Sequence, residues 1–308
     1  MSLGILFPGQ GSQSIGMLKD LKSSYSIVSE VFEEASDLLS CNLWKITKNG
    51  PESKINDTEF TQPIMLCSAF SIWKIWEDEG GDIPIFMAGH SFGEYTALCA
   101  SGSLKFRDAV KLVKQRAECM KNAPEGKMAA IIGIDYQQLK SICEDNTLDS
   151  VSIANINAPG QIVISGSAKG VQKLSELAIA KNAKRVIPIP VSVAAHSSLM
   201  FDQAETFKAF VGNVKFSKPK IPVINNVDVK LYSDKTTIIQ GLTRQLYNPV
   251  RWAETMQDIA SKDIAISVEY GPGGVLSGLA KRIDKNNQTI KFNTIDSFDK
   301  FNELVKKN

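Results

Sequence analysis

Short apolar runs alternate along the chain with longer segments in which apolar residues recur at helical spacing. The short runs have the continuous hydrophobicity of strands that are buried on both faces of a parallel sheet. They are Leu3–Phe7, Ile83–Ala88, Ile221–Ile224 and Ile264–Val268. The helical segments are Tyr25–Leu39, Ile64–Glu77, Phe106–Met120 and Ser197–Val211. Because strands that alternate with helices are joined by right-handed crossovers, the pattern predicts an α/β fold around a parallel sheet.

One stretch has a different order of elements: strand, helix, strand, strand, helix, strand. The six predicted elements are Lys127–Ile134, Tyr136–Cys143, Val151–Asn155, Gln161–Ser165, Ala168–Lys181 and Lys184–Pro188. A turn at Asn157–Gly160 separates the two central strands. This order is that of a ferredoxin-like unit. We therefore predict a ferredoxin-like subdomain at 124–190, inserted into a larger α/β core formed by 1–123 and 191–308.

Composition and charge exclude several classes of protein. Of the 308 residues, 43% are hydrophobic and 22% are charged, which is typical of a globular chain and not of a disordered one. The formal net charge of +2 is too balanced to indicate a nucleic-acid partner. No apolar run reaches the length of a membrane span. We expect a globular protein with neither nucleic acid nor a membrane as its partner.

The cysteines and histidines restrict the chemistry further. The five cysteines are scattered without a C-x-x-C pair, so the sequence indicates neither a disulfide framework nor a zinc ribbon. With only two histidines, a site with several histidine ligands is excluded. These features favour a reducing, cytoplasmic location and no bound metal.

The motif GHSFG at Gly89–Gly93 is the sharpest local signal. It follows an apolar run and precedes the helical run Glu94–Ala100, as a G-x-S-x-G nucleophile elbow requires. Ser91 would then be exposed at the edge of the sheet. The backbone N–H of Phe92, at the start of the helix, would face a developing oxyanion. A glycine-rich turn with an incidental serine is the alternative, and the context favours the nucleophile.

A nucleophilic serine needs a base, and the chain has two candidates. His90 adjoins Ser91, but neighbouring side chains at a sharp turn point apart, so we expect His90 to pack against the turn. His196 follows the inserted unit and precedes a helix, and it is the favoured base. No acidic residue is placed by the sequence to complete a triad. A backbone carbonyl is therefore a candidate for orienting the histidine.

The loop after the first strand is rich in glycine and glutamine. Gly9 and Gly11 fit the start of a dinucleotide-binding fingerprint, but its third glycine position falls on Ser14. The loop can instead supply a backbone N–H group to an oxyanion. An ordinary turn would explain the glycines but not the flanking Gln10 and Gln13.

Several motifs stand in the order of a known family. They are Gly9–Gln13, Gly89–Glu94, Arg116, Ala154–Asn157, His196, Gln245–Val250, Gly271–Gly273 and Lys281–Arg282. In this order they resemble the malonyl-CoA:acyl-carrier-protein transacylases, the stand-alone acyltransferases of fatty-acid synthesis. The resemblance covers nearly the whole chain. It implies an α/β-hydrolase-like core with an inserted ferredoxin-like subdomain, the arrangement that the pattern of elements also predicts.

The resemblance implies a role for each residue of the acyl-transfer site. Ser91 would be the nucleophile and His196 the base. The backbone carbonyl of Gln245 would orient the imidazole. The backbone N–H groups of Gln10 and Phe92 would form the oxyanion hole.

The resemblance also implies a binding site for the acyl group. Arg116 would hold the malonyl carboxylate, which suits a planar guanidinium that donates two charge-assisted hydrogen bonds. Gln62 and Asn155 would line the pocket. From the pattern alone, Arg116 shares an amphipathic helix with Lys111 and Lys114, so a solvated face is the alternative.

The function implied is ping-pong transfer of a malonyl group from malonyl-CoA to acyl carrier protein, by a monomer that needs no cofactor. Three other functions stay open: an acyltransferase serving a polyketide synthase, a serine thioesterase or lipase, and a non-catalytic scaffold that binds carrier protein. Since carrier proteins are acidic, basic residues near the site mouth would dock them. The candidates are Lys181, Lys184, Arg185, Lys281 and Arg282.

Overall fold

A computed structural model of the chain describes residues 2–144, 148–262, 264, 266–286 and 288–306. The strands are β1 (Leu3–Phe7), β2 (Phe86–Gly89), β3 (Lys127–Ile132), β4 (Val151–Ala158), β5 (Gln161–Gly166), β6 (Arg185–Ile189), β7 (Val223–Ile224), β8 (Ile266–Tyr270) and β9 (Thr289–Phe292). The first seven helices are α1 (Lys19–Ser24), α2 (Ser26–Leu39), α3 (Leu43–Asn49), α4 (Glu52–Ile55), α5 (Thr58–Asp78), α6 (Gly93–Ala100) and α7 (Phe106–Lys121). The others are α8 (Tyr136–Cys143), α9 (Ala168–Ala180), α10 (Phe201–Asn213), α11 (Lys235–Gln245), α12 (Trp252–Ala260), α13 (Val275–Ile283) and α14 (Ile295–Lys306).

The larger sheet is parallel, with the strand order β7-β2-β1-β8-β9. Every residue of its central strand β1 is buried, as expected where helices cover both faces. Successive side chains of β1 point to opposite faces. Ile5 and Phe7 pack in the apolar core that includes α2, α5 and α7, whereas Leu6 packs with Trp252 and Leu276 of α12 and α13. The α/β fold with a parallel sheet is confirmed.

The smaller sheet is antiparallel, with the strand order β4-β5-β3-β6. Along the chain its elements follow the predicted order of strand, helix, strand, strand, helix and strand, from β3 to β6 with α8 and α9. One face packs on these helices through residues such as Ile131, Ile164 and Leu174. The other face carries Met128 and packs towards the loop after β6. This is the strand order of a ferredoxin-like unit. The division of the chain at 124 and 190 stays a prediction.

The bounds of the elements differ from the predicted bounds mainly where a proline or a capping residue determines where an element begins. The strand expected at Ile83–Ala88 begins only at Phe86, since Pro84 lacks an N–H and Ile83 is 79% exposed. The helix expected from Ile64 begins at Thr58, because Asp57 caps it by accepting the N–H of Glu59.

Two strands of the parallel sheet also differ from expectation. The strand expected from Ile221 is reduced to Val223–Ile224 after Pro222. The strand expected at Ile264–Val268 is Ile266–Tyr270, and part of the predicted range lies outside the described residues. Strand β9 was not predicted, because it has only four residues and only the two at its ends are buried.

Candidate active site

Ser91 lies on a sharp turn between β2 and α6. Its φ of 53° is in the left-handed region, which is unfavourable for a residue with a side chain. The two flanking glycines let the strand and helix approach closely. A Cβ on Gly89 would lie 2.0 Å from the carbonyl carbon of Gly93, and one on Gly93 would lie 2.3 Å from the carbonyl oxygen of Phe7. The turn therefore requires glycine at both positions, as the elbow motif does.

Asn226 holds this turn from the segment that follows β7. Its Oδ1 accepts the backbone N–H of Ser91 at 2.7 Å, and its Nδ2 donates to the carbonyl of Gly89 at 2.6 Å. The side chain is fully buried. Because Asn226 bonds the backbone on both sides of His90, it stabilises the left-handed conformation that presents Ser91.

The structure brings His196 to Ser91 from 105 residues away along the chain. The Nε2 atom of His196 lies 2.8 Å from Oγ of Ser91. The Nδ1 atom lies 2.7 Å from the backbone carbonyl oxygen of Gln245. Since a carbonyl can only accept, Nδ1 carries the proton and Nε2 presents its lone pair to the hydroxyl. This is the geometry of a base oriented by the backbone.

The environment keeps His196 neutral. Its burial lowers the pKa of the imidazole to about 3, and the positive charge of Arg116 acts in the same direction. The hydrogen bond to Gln245 opposes this shift only in part. An imidazole with this pKa is unprotonated at neutral pH and can accept the proton of Ser91.

Arg116 is buried against the same serine. It is 1% exposed, so the solvated-face alternative is wrong for this residue. Its Nη2 atom lies 3.3 Å from Oγ of Ser91 and 3.2 Å from Oε1 of Gln245. Its Nη1 atom contacts Sδ of Met120 at 3.1 Å, and Nε has no hydrogen-bond partner. No carboxylate of the described chain lies within ion-pair distance of this guanidinium.

Two backbone N–H groups that have no acceptor among the described residues belong to residues that line the cavity above Ser91. Within the part of the chain that the structure describes, those of Gln10 and Phe92 have no intramolecular acceptor. Gln10 follows β1, and Phe92 lies at the start of α6. Both residues line the cavity that contains Ser91. Unpaired donors at such a position suit a developing oxyanion.

The cavity above Ser91 has a volume of about 640 Å³, and Arg116, Asn155 and His196 also line it. Gln62 lies behind its wall, where Nε2 contacts Sδ of Met120 at 3.4 Å and Oε1 is buried without a partner. Another cavity, of about 500 Å³, is lined by none of the predicted site residues.

His90 has a different environment from His196. Its Nε2 lies 2.8 Å from Oδ1 of Asn157, and its ring meets the edge of Trp252 with centroids 5.4 Å apart. These contacts hold the imidazole at the turn, between the core and β4, where packing was expected.

A group of buried polar side chains beneath the turn was not predicted. Glu94 is fully buried in α6 and accepts hydrogen bonds from the side chains of Gln245 and Tyr232 and from the backbone N–H of Asn226. A charged residue within an otherwise apolar helical run is the sequence signal for this group.

Among the described residues, no group of three or more histidine, cysteine, aspartate or glutamate side chains could hold a metal ion. In the same part of the chain, no helix is both long and apolar enough to cross a membrane.

A serine at a strand–helix elbow, a neutral histidine within hydrogen-bond distance and free N–H donors define an enzyme of the serine acyl-transfer class. The acyl transferase domain family matches residues 5–295, and the chain belongs to it.

The chain is similar to several bacterial proteins. It is 45% identical to the malonyl CoA-acyl carrier protein transacylase of Salmonella typhimurium over 90% of this chain and 91% of that protein. It is 42% identical to the transacylase of Haemophilus influenzae, with 98% of each chain covered. Among solved structures, an acyl carrier protein S-malonyltransferase from Vibrio cholerae matches with a TM-score of 0.95 and 40% identity, over 98% of this chain and all of that one. A malonyl transacylase in complex with a type II polyketide synthase acyl carrier protein matches with a TM-score of 0.96 and 39% identity, over 99% and 100% of the two chains.

Proposed function

We propose that the enzyme transfers a malonyl group from malonyl-CoA to the phosphopantetheine thiol of an acyl carrier protein, through a malonyl ester on Ser91. The buried guanidinium of Arg116 carries this proposal. It has no carboxylate partner in the described chain, and its Nη2 lies 3.3 Å from the hydroxyl that would bear the acyl group. A buried cation beside a nucleophile favours an acyl group with its own negative charge.

In the first half-reaction, Nε2 of His196 takes the proton of Ser91 while Oγ attacks the thioester carbonyl. The N–H groups of Gln10 and Phe92 hold the tetrahedral oxyanion. When that intermediate collapses, the carbon–sulfur bond breaks and His196 returns its proton to the thiolate of CoA. The low pKa of His196, about 3, favours release of this proton.

The second half-reaction reverses these steps with a different thiol. His196 takes the proton of the phosphopantetheine thiol, and the thiolate attacks the malonyl ester of Ser91. The ester bond then breaks, and Oγ recovers its proton from His196. The carbonyl oxygen of Gln245 accepts the hydrogen bond of Nδ1–H in both halves, so the neutral imidazole of His196 always presents its lone pair at Nε2.

The acyl group would occupy the cavity above Ser91, with its carboxylate on Arg116. Nη2 of Arg116, 3.3 Å from Oγ of Ser91, is the guanidinium nitrogen nearest to the acyl position. Asn155 lines the cavity and would form part of the wall around the acyl chain. Gln62, whose buried Oε1 has no partner, would support this wall from behind through Met120.

We place the enzyme in fatty-acid synthesis, as a cytoplasmic monomer with its ferredoxin-like subdomain at 124–190. All five cysteines lie in described residues and are free thiols, which suits a reducing compartment. The second candidate function is malonyl transfer to the carrier protein of a polyketide synthase. The similar structure of a malonyl transacylase bound to a type II polyketide synthase acyl carrier protein supports this candidate.

Intact-protein mass spectrometry after mixing with malonyl-CoA tests the proposal. We expect one malonyl adduct that peptide mapping assigns to Ser91. Ser91→Ala should form none, and His196→Ala should form it more slowly by orders of magnitude. Ser175→Ala, which removes a hydroxyl from α9 away from the site, is the matched control and should form the adduct normally. An undiminished adduct in Ser91→Ala would overturn the assignment.

A further inference from the structure

The buried carboxylate of Glu94 is surrounded by donors. Its Oε2 accepts the backbone N–H of Asn226 at 3.1 Å and the Nε2 of Gln245 at 2.6 Å, and its Oε1 accepts the hydroxyl of Tyr232. Two of these three partners are N–H groups, which can only donate. These donors stabilise the ionised form, whereas burial raises the pKa of Glu94 to about 7, so the carboxylate carries its full charge only above neutral pH. Glu94 does not line the cavity.

The side chain of Gln245 connects this carboxylate to Arg116. Its Nε2 donates to Glu94 and, at 2.9 Å, to the carbonyl oxygen of Ser91, while its Oε1 accepts from Nη2 of Arg116 at 3.2 Å. All three contacts require the same orientation of the amide. Turning the amide over would set oxygen against two acceptors and nitrogen against a guanidinium.

The arrangement gives Arg116 a counter-charge without a direct ion pair. A carboxylate in contact with the guanidinium would occupy the N–H groups that an acyl carboxylate needs. A buried cation without any counter-charge would be unfavourable. Because the Gln245 amide lies between them, the carboxylate of Glu94 offsets the charge of Arg116 without contacting the guanidinium. The guanidinium therefore stays open towards Ser91.

We propose that Glu94 is a positioning residue for substrate selection: through the Gln245 amide, it keeps the Arg116 guanidinium aimed at the acyl group on Ser91. This inference rests on the proposed malonyl transfer. Glu94 touches neither substrate nor reacting atoms, and in this role it acts on the acyl group through Gln245 and Arg116. Its loss should affect an acyl group with a carboxylate far more than one without.

Glu94→Gln tests this role because it keeps the size of the side chain and removes the charge. A glutamine at 94 can accept from Asn226 and Gln245 only through a neutral amide oxygen, which binds donors more weakly than a carboxylate oxygen does, so the amide of Gln245 is held less firmly. We expect the ratio of malonyl to acetyl specificity constants to fall at least tenfold. The fall should appear as a raised KM for malonyl-CoA, with the acetyl constants changed much less.

Gln245→Met removes the same bridge but keeps the backbone carbonyl that orients His196. It should lower the ratio similarly, and the double variant should fall little further because both changes break one connection. If Glu94→Gln does not fold, the ratio of specificity constants in Gln245→Met tests the proposal by itself. Glu269→Gln is the matched control, since Glu269 is an equally buried carboxylate bonded to the start of α13. It should leave the ratio within twofold.

The outcomes separate this inference from the proposed function. If the wild-type enzyme takes no malonyl group, both are overturned. If the wild type is selective and the ratio is unchanged in Glu94→Gln, or rises because a negative charge has been removed, only the inference is overturned. An equal fall in both specificity constants would show that Glu94 merely supports the fold, and it would overturn the inference too.

Discussion

The Nδ1 atom of His196 lies 2.7 Å from the backbone carbonyl oxygen of Gln245, in the place where many serine enzymes have a carboxylate. A carbonyl fixes the tautomer but adds no negative charge, so it stabilises an imidazolium less than an aspartate does. With burial and the nearby Arg116, this leaves the pKa of His196 at about 3.

The first prediction concerns the pH dependence of acylation by acetyl-CoA, which needs no carboxylate clamp. His196 must be neutral to accept a proton, and its pKa lies below the usual value of about 6.5. As the pH falls, the rate should therefore be retained through pH 6.5 and decline only near pH 3. Arg116→Ala removes a positive charge that disfavours the imidazolium, so the decline should move to higher pH. Stopped-flow rates across this range check both statements, and a decline near pH 6.5 that is unmoved in Arg116→Ala would contradict them.

The second prediction concerns Arg116 as the selector of a diacid. Arg116→Ala should weaken malonyl transfer by about 2–5 kcal/mol, the range for removing one partner of a buried charge pair. Acetyl transfer should survive. Arg116→Lys should recover only part of the loss, because an ammonium lacks the two-pronged geometry. The measurement is the ratio of malonyl to acetyl specificity constants, and a ratio that Arg116→Ala leaves unchanged would place selectivity elsewhere.

The third prediction concerns the basic residues expected to dock the carrier protein. The structure places Arg185 and Arg282 at the same end of the smaller sheet. Ile132 of β3 pairs with Arg185 on one side and with Gln161 on the other, and Arg282 donates to Gln161 at 2.8 Å. Ile189, at the other end of β6, lines the cavity. An acidic partner could therefore bind along this sheet and reach Ser91 with its flexible arm.

Replacing Arg185 and Arg282 by glutamate should lower the rate with carrier protein about tenfold, and added salt should weaken wild-type transfer in the same direction. Transfer to a small thiol should be unchanged. The same charge reversal at the exposed Lys105 and Lys218 is the control. An equal loss with the small thiol would mean that these residues do not dock the partner.

The fourth prediction tests the packing of the elbow. Gly93→Ala places a Cβ 2.3 Å from the carbonyl oxygen of Phe7, so the strand or the helix must shift. We expect a loss of about 1–3 kcal/mol in the free energy of unfolding. Gly278→Ala, in α13 with no atom within 4 Å of the new Cβ, should instead stabilise by about 0.5–1 kcal/mol. Urea unfolding of both variants checks this, and equal midpoints would contradict it.

Those parts of the fold that depend on neighbouring residues could be predicted from the sequence. Strand β1 and helix α8 have their predicted bounds, because apolar periodicity and a capping Asp135 act locally. The elbow could also be predicted, since its glycines and Ser91 are adjacent. The first residues of β2 (Phe86) and α5 (Thr58) were not predicted, because a proline and a capping residue, not hydrophobicity, determine where these elements begin.

The rest of the site depends on residues that meet only in the folded chain. Asn226 and Glu94 bond to the elbow and to each other, but no spacing rule connects positions 132 residues apart. Arg116 lies four residues after Leu112 and four before Met120, on the buried face of α7, but periodicity could not show that its charge faces Ser91. Only the family resemblance placed Arg116 and the carbonyl of Gln245 in the site before the structure did.

The most direct test of malonyl transfer through Ser91 uses the isolated malonyl-enzyme. The enzyme is loaded with labelled malonyl-CoA, freed of CoA by gel filtration, and mixed with phosphopantetheinylated acyl carrier protein or with buffer alone. We predict that the label leaves Ser91 and appears on the carrier-protein thiol, while the ester in buffer persists much longer. Equally fast release of free malonate with and without carrier protein would contradict this account and identify a thioesterase instead.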